Sequence, residues 1–187
     1  GLGDVYKRQE RNPGFGTSWF SLNSDGSRGD LIKINGGGYR MPSSPETLRE
    51  KVVDEYGNIR SEEQGYMQGA DVFNFVIREI PRDIKRLAEW SGEDLQGLDY
   101  YVFHQANNFI NTYLAKKLRL DAERIPSTIA KFGNTSSVSV PLTIASELKG
   151  RMEGDRKLLL SAFGVGMTWG TAVVPFRDLR ISDLVEV

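Results

Sequence analysis

Tyr100-Tyr101-Val102-Phe103-His104-Gln105-Ala106-Asn107 is the stretch on which the fold turns. Its first four residues form an apolar and aromatic run with the length of a buried strand, and the spacing predicts that strand over 99–103. A helical pattern begins at once behind it, over Asn108–Leu118, with Ile110, Leu114 and Leu118 on one face. A strand that hands over directly to a helix is the repeating unit of layered α/β folds. Ligands bind such folds at the carboxyl ends of their strands. His104 stands at that end and is the only histidine among 187 residues. An imidazole there can change protonation or donate a hydrogen bond near neutral pH.

Working outward from this segment, the same periodicities recur on both sides. Val72, Val76, Ile80, Ile84 and Leu87 fall three or four apart, which predicts an amphipathic helix from residue 69 with a kink at Pro81. Downstream, a short strand is expected over 125–129, then a helix over 137–149. The beginning of that helix, VSVPLTIAS, carries no charge, so it is expected to be buried nearly all round. Pro141 suits it only within the first turn. Two strands, 157–163 and 168–176, are joined by Gly164-Val165-Gly166-Met167 and read as an antiparallel pair. Upstream, 17–22 reads as a strand, 23–29 as a turn and 30–34 as a second short strand. Residues 36–65, rich in Gly, Pro, Ser and charge, read as a long surface excursion of the kind that serves function or covers a partner. GLGDVYKRQ (1–9) has neither period and reads as an assembly scar. The order is that of an α/β layer fold with a buried central helix, and no repeat of 20–50 residues is visible.

Composition narrows what such a fold can do. A hydrophobic share of 39% and a charged share of 26% describe a globular domain. A net charge of −1 argues against bulk attraction to nucleic acid or an anionic membrane. No apolar run approaches the roughly 20 residues that span a bilayer. The absence of cysteine removes disulfides, zinc thiolate sites and a cysteine nucleophile from this chain.

Each candidate site residue has a plain structural reading beside the chemical one. His104 could be a satisfied structural histidine. Gln105 and Asn107 could cap the helix that follows. Asn134, in a Gly-Asn pair, could be a turn residue, and Gly164-Val165-Gly166 a hairpin. All of them nevertheless fall at strand ends of one expected sheet. An imidazole, a carboxamide and a backbone amide are donors that together suit an oxyanion or enolate. A nucleophile is missing.

HQAN (104–107), GNTSSVSVP (133–141) and AFGVGMTWGTAVVPF (162–176), in this order and spacing, resemble β-ketoacyl-[acyl carrier protein] synthase III of the thiolase-like superfamily. SLNSDGSRGDLIKI (21–34) resembles the strand–turn–strand that joins the two halves of that fold. The resemblance covers about residues 12–176. It implies a thiolase-like three-layer α/β/α half with a mixed five-stranded sheet. Residues 10–65 would be the end of the N-terminal half with its connecting excursion, and 66–187 the C-terminal domain. The activity implied is decarboxylative Claisen condensation of acyl-CoA with malonyl-carrier protein, the first step of fatty acid biosynthesis, by a Cys-His-Asn triad. Those thioesters are substrates, and neither a cofactor nor a metal is implied.

By the same resemblance His104 and Asn134 are the catalytic histidine and asparagine, which donate to the malonyl thioester carbonyl. The Val165 amide belongs to the oxyanion loop, in a position often held by glycine. Phe163 lines the decarboxylation pocket, and Asn107 contacts the pantetheine arm. Lys116 and Lys117 match positions that dock the acidic acyl carrier protein, although a solvated helix face reads equally well. Phe109 stands where a docking arginine is expected. A homodimer and a cytoplasmic location are implied too. Because the cysteine would lie upstream, the 187 residues are expected to condense nothing alone. A polyketide-type condensing enzyme, a non-catalytic carrier- or CoA-binding paralogue, and a decarboxylase without condensation are the alternatives.

Overall fold

The computed structural model describes residues 16–185, so the expected scar at 1–9 lies outside the described residues. In chain order the elements are β1 (Trp19–Ser24), a 3-10 turn (Gly26–Leu31), β2 (Ile32–Lys33), α1 (Pro45–Leu48), β3 (Lys51–Val52), β4 (Ile59–Arg60), β5 (Tyr66–Met67), α2 (Gly69–Ser91), β6 (Tyr100–Phe103), α3 (Asn108–Leu118), α4 (Ile129–Phe132), α5 (Ser139–Glu147), β7 (Asp155–Gly164) and β8 (Thr168–Arg177).

Four strands form the main sheet in the order β1-β8-β7-β6. β6 runs parallel to β7, with Tyr100 opposite Leu158 and Phe103 opposite Ser161. β7 and β8 form the expected antiparallel hairpin, and β1 pairs antiparallel with β8. The sheet is therefore mixed, as expected, but four-stranded rather than five-stranded among the described residues. The missing strand is 125–129. Pro126 has no N–H to offer a ladder, and the Thr128 N–H is taken by the Gln105 side chain at 3.0 Å. A short 3-10 turn (Ala122–Arg124) and α4 replace it.

Alternation along the strands divides the core into two layers. Tyr101, Phe103, Leu159 and Val173 pack beneath α2 and α3, against Val76, Ile80, Ile84 and Leu114. Val102 and Leu158 face the opposite way and pack with Leu148, Met152, Val140 and Ile144 of the α5 region. Helices on both faces of one sheet make the three-layer arrangement. α2 buries the five periodic residues named above, with Phe75, Pro81 and Asp83 added. It continues through Pro81 without interruption and stops at Gly92, whose left-handed φ of 75° returns its N–H to the Ala88 carbonyl. On α2, Asp83 Oδ1 accepts from Ser21, Asn23 and Arg86, fixing the helix to β1.

Three further expectations are corrected. The strand expected at 30–34 shrinks to β2, because Asp25 caps a 3-10 turn through the Ser27 N–H and carries that turn to Leu31. The excursion at 36–65 is a small folded arm: β2 pairs with β5 at its base, and β3 with β4 further out. α5 is not buried all round either. Ser139, Thr143 and the adjoining Leu148 are buried, while Pro141 is exposed and Val138 is 53% exposed. Its outer face is uncovered among the described residues. No helix among the described residues is long and apolar enough to cross a membrane.

Candidate active site

His104 is positioned by the ladder that makes β6. Its own N–H continues the pairing by donating to the Ser161 carbonyl at 2.8 Å, so the imidazole leaves the sheet at a fixed point. Gln105 next to it is fully buried. Its amide donates to the Phe103 carbonyl at 2.8 Å, and its oxygen accepts from the Thr128 N–H and the Ser127 hydroxyl. The chain then turns into α3, whose N-terminus Asn107 caps by accepting the Ile110 N–H at 2.9 Å.

The imidazole is half-buried. Nδ1 lies 2.7 Å from Ser139 Oγ at the start of α5, and the Phe163 ring meets the imidazole edge-on at 5.2 Å and 86°. Burial holds the His104 pKa below its ordinary value near 6.5, so the ring is neutral at pH 7. With Nδ1 engaged, Nε2 is the nitrogen left for the groove that His104 lines.

Asn134 follows Gly133, the residue that ends α4. Its Oδ1 accepts the Ser136 N–H at 2.9 Å, which assigns the oxygen and leaves the NH2 group as a free donor. The β7–β8 turn supplies the third element. Val165 is 62% exposed and is not among the residues with positive φ, so a side chain is accommodated there. The strained position is Gly166 instead, with φ of 137°. A Cβ there would lie 2.6 Å from Thr168 Cγ2 and 2.9 Å from the Thr168 nitrogen, which only glycine avoids.

These elements meet in one groove of ≈ 1090 Å³, bordered by His104, Asn107, Asn134, Phe163 and Val165. Five of the sequence-derived site residues are thus brought together. Lys116 and Lys117 are not. They are exposed on the last turn of α3, roughly 13 Å along the helix from Asn107 at 1.5 Å per residue. Phe109 is 67% exposed and stacks at a tilt on Phe73, 5.6 Å away, which itself lines the groove. Sequence reading passed over Ser139 and gave Gln105 only a capping role. The available signal for Ser139 was a pair of hydroxyls four residues apart, Ser139 and Thr143, on one face of the largely apolar first turns of α5.

Known proteins resemble the chain in sequence and in fold. Residues 88–176 match the family described as 3-oxoacyl-[acyl-carrier-protein (ACP)] synthase III C terminal. The chain is 32% identical over 157 residues to the β-ketoacyl-[acyl-carrier-protein] synthase III of Streptococcus pneumoniae (strain Hungary19A-6), an alignment covering 82% of this chain and 45% of that protein. The chain therefore spans about half the length of the curated relatives it matches. Among solved structures it superposes on a 3-oxoacyl-(acyl-carrier-protein) synthase III with a TM-score of 0.80 and 32% identity, covering 91% of this chain and 50% of that one. The corresponding values for the 3-oxoacyl-(acyl-carrier protein) synthase of Burkholderia xenovorans LB400 are 0.77, 35%, 90% and 46%. The chain has a thiolase-like fold, and its residues 88–176 match the C-terminal domain of the 3-oxoacyl-[acyl-carrier-protein] synthase III family.

Proposed function

We propose that this chain is the C-terminal half of a synthase III-type acyltransferase and supplies the groove in which a malonyl thioester loses CO2. The observation that carries the reading is the meeting of two neutral donors, His104 and Asn134, in one groove beside the Phe163 ring. A malonyl thioester carbonyl would sit between the His104 Nε2–H and the Asn134 amide. As the carboxyl carbon–carbon bond breaks, its electron pair passes through the α-carbon onto that oxygen. Donors already aimed there stabilise the enolate without having to reorganise. Their neutrality matters, since a cation facing the carboxylate would stabilise the ground state instead. Phe163 keeps water from the departing CO2.

The enolate carbon would then attack an acyl thioester on a cysteine. That residue is absent from this sequence, so the acyl-enzyme belongs to a complementary half. The Val165 amide would share the acyl oxyanion with that cysteine's own amide. Asn107, its oxygen spent on the cap, keeps an NH2 group for the pantetheine arm. Lys116 and Lys117 have no ion-pair partner among the described residues, which suits them to an acidic carrier. A homodimer, a cytoplasmic setting and the division at 65/66 belong to the same proposal.

The test is reconstitution. With acetyl-CoA and malonyl-carrier protein, the 187-residue chain alone should give no acetoacetyl product. Adding a cysteine-bearing first half from a relative should restore it. His104→Ala or Asn134→Ala should then lower the rate about 10²–10³-fold, the usual cost of one oxyanion donor. Product from the chain alone, or a reconstituted rate indifferent to both substitutions, overturns the reading.

A further inference from the structure

Ser139 has no part in the chemistry above, yet it is the only hydrogen-bond partner of the His104 ring among the described residues. It is 1% exposed, so its hydroxyl has no bulk water to fall back on. A serine hydroxyl carries one proton and two lone pairs. The Gln105 N–H donates to Ser139 Oγ at 3.3 Å and takes one lone pair. The proton then needs an acceptor, and His104 Nδ1 at 2.7 Å is the one within reach. In the opposite assignment Nδ1–H would also donate to Oγ, leaving the hydroxyl proton buried without a partner. Buried polar groups seldom stay unpaired.

The groups behind Ser139 obey the same one-proton logic. Thr143 donates its hydroxyl to the Ser139 carbonyl at 2.7 Å, so the 2.8 Å contact between Thr128 and Thr143 hydroxyls must run from Thr128 to Thr143. Thr128 in turn donates its N–H to the Gln105 side chain. Gln105, Thr128, Ser139 and Thr143 are each 1% exposed or less. They close a buried loop that starts and ends beside His104, and every proton in it has one direction to go.

We propose that Ser139 is a positioning residue that fixes His104 as the Nε2–H tautomer and so aims the ring's single donor into the groove. The tautomer follows from hydrogen-bond geometry alone, whereas its use in decarboxylation rests on the function proposed above.

The experiment exploits the single histidine. Long-range proton–nitrogen NMR correlation on the full chain labelled with ¹⁵N-histidine, alone or bound to the complementary half, reads the tautomer with no assignment step. The wild type should show Nε2 protonated and Nδ1 bare. Ser139→Ala should shift the tautomer ratio about fivefold toward Nδ1–H, the effect of one lost hydrogen bond. Ser139→Thr, which keeps a hydroxyl, should restore it. Thr143→Val, which breaks the loop without touching Oγ, should leave the ratio alone. In the reconstituted assembly Ser139→Ala should lower kcat with little change in KM. A wild-type ring protonated at Nδ1, or a Ser139→Ala ratio equal to wild type, overturns the proposal. The expected tautomer together with a His104-independent condensation would overturn the functional reading and leave the positioning role standing.

Discussion

His104 is the residue at which environment and chemistry meet most directly. Its pKa is depressed because half-burial penalises the cation and no carboxylate offsets that penalty. The linkage sign follows. Above the ordinary value near 6.5 both folded and unfolded chains hold a neutral ring, and stability does not depend on it. As pH falls below that value the unfolded chain takes the proton first, so stability is lost on acidification. We expect wild type to lose more stability than His104→Asn between neutral pH and the pH just below the unfolded pKa, measured by urea unfolding at each pH. Equal losses would mean that the ring protonates freely in the folded state. His104 was legible in the sequence because a lone imidazole at the end of an apolar run is conspicuous. Asn134 was legible only beside it. Ser139 was not, since its spacing from Thr143 marks a polar spot on α5 without pointing to the ring it touches 35 positions back.

At the scale of elements, the strands and helices with strong periodicity were readable: β6, α3 and the β7–β8 hairpin lie within two residues of where their patterns put them, and α2 begins at Gly69. The segment 125–129 shows where local reading stops. Its apolar ends and β-branched Thr128 suit a strand, but Gln105 offers its backbone a different set of partners. A side chain that replaces a ladder leaves no periodic trace. If Gln105 is that staple, Gln105→Ala should cost about 2–4 kcal/mol, because it strands a buried N–H and removes the donor from the Phe103 carbonyl. Urea unfolding measures it, and a loss below about 0.5 kcal/mol, the low end for one hydrogen bond, would return Gln105 to a passive filler. α3 offers a second test. Phe109 stands on the same helix as Lys116 and Lys117 but brings no charge. Phe109→Arg should tighten binding of an acidic carrier protein at low salt and steepen the salt dependence, because added charge acts mainly through screened attraction. Titrating carrier binding at low and physiological salt checks this; unchanged affinity at low salt would place the docking face elsewhere.

The whole molecule presents a sheet with one well-covered face and one partly bare face. Trp19, Ser21 and Asn23 of β1 turn toward α2, whereas Phe20 and Leu22 turn the other way and border the groove at 59% and 83% exposure. Val140 of α5 lines the same groove. The uncharged run at 138–146 predicts burial nearly all round because hydropathy reports what a surface needs, whereas coverage depends on what is packed against it. An apolar surface of this kind marks an interaction site or drives association. If the complementary half proposed above seats on this face, replacing both β1 residues should have two linked effects. Phe20→Thr with Leu22→Thr keeps the strand propensity of β1 while removing the apolar side chains. Because both are exposed, the thermal midpoint of the isolated chain should change little, and sedimentation should show less self-association. The same variant should need a higher concentration of the cysteine-bearing half to reach half-maximal condensation. Reduced self-association with unaltered complementation would separate the two, making the bare face a surface liability and putting the seat of the other half elsewhere on the molecule.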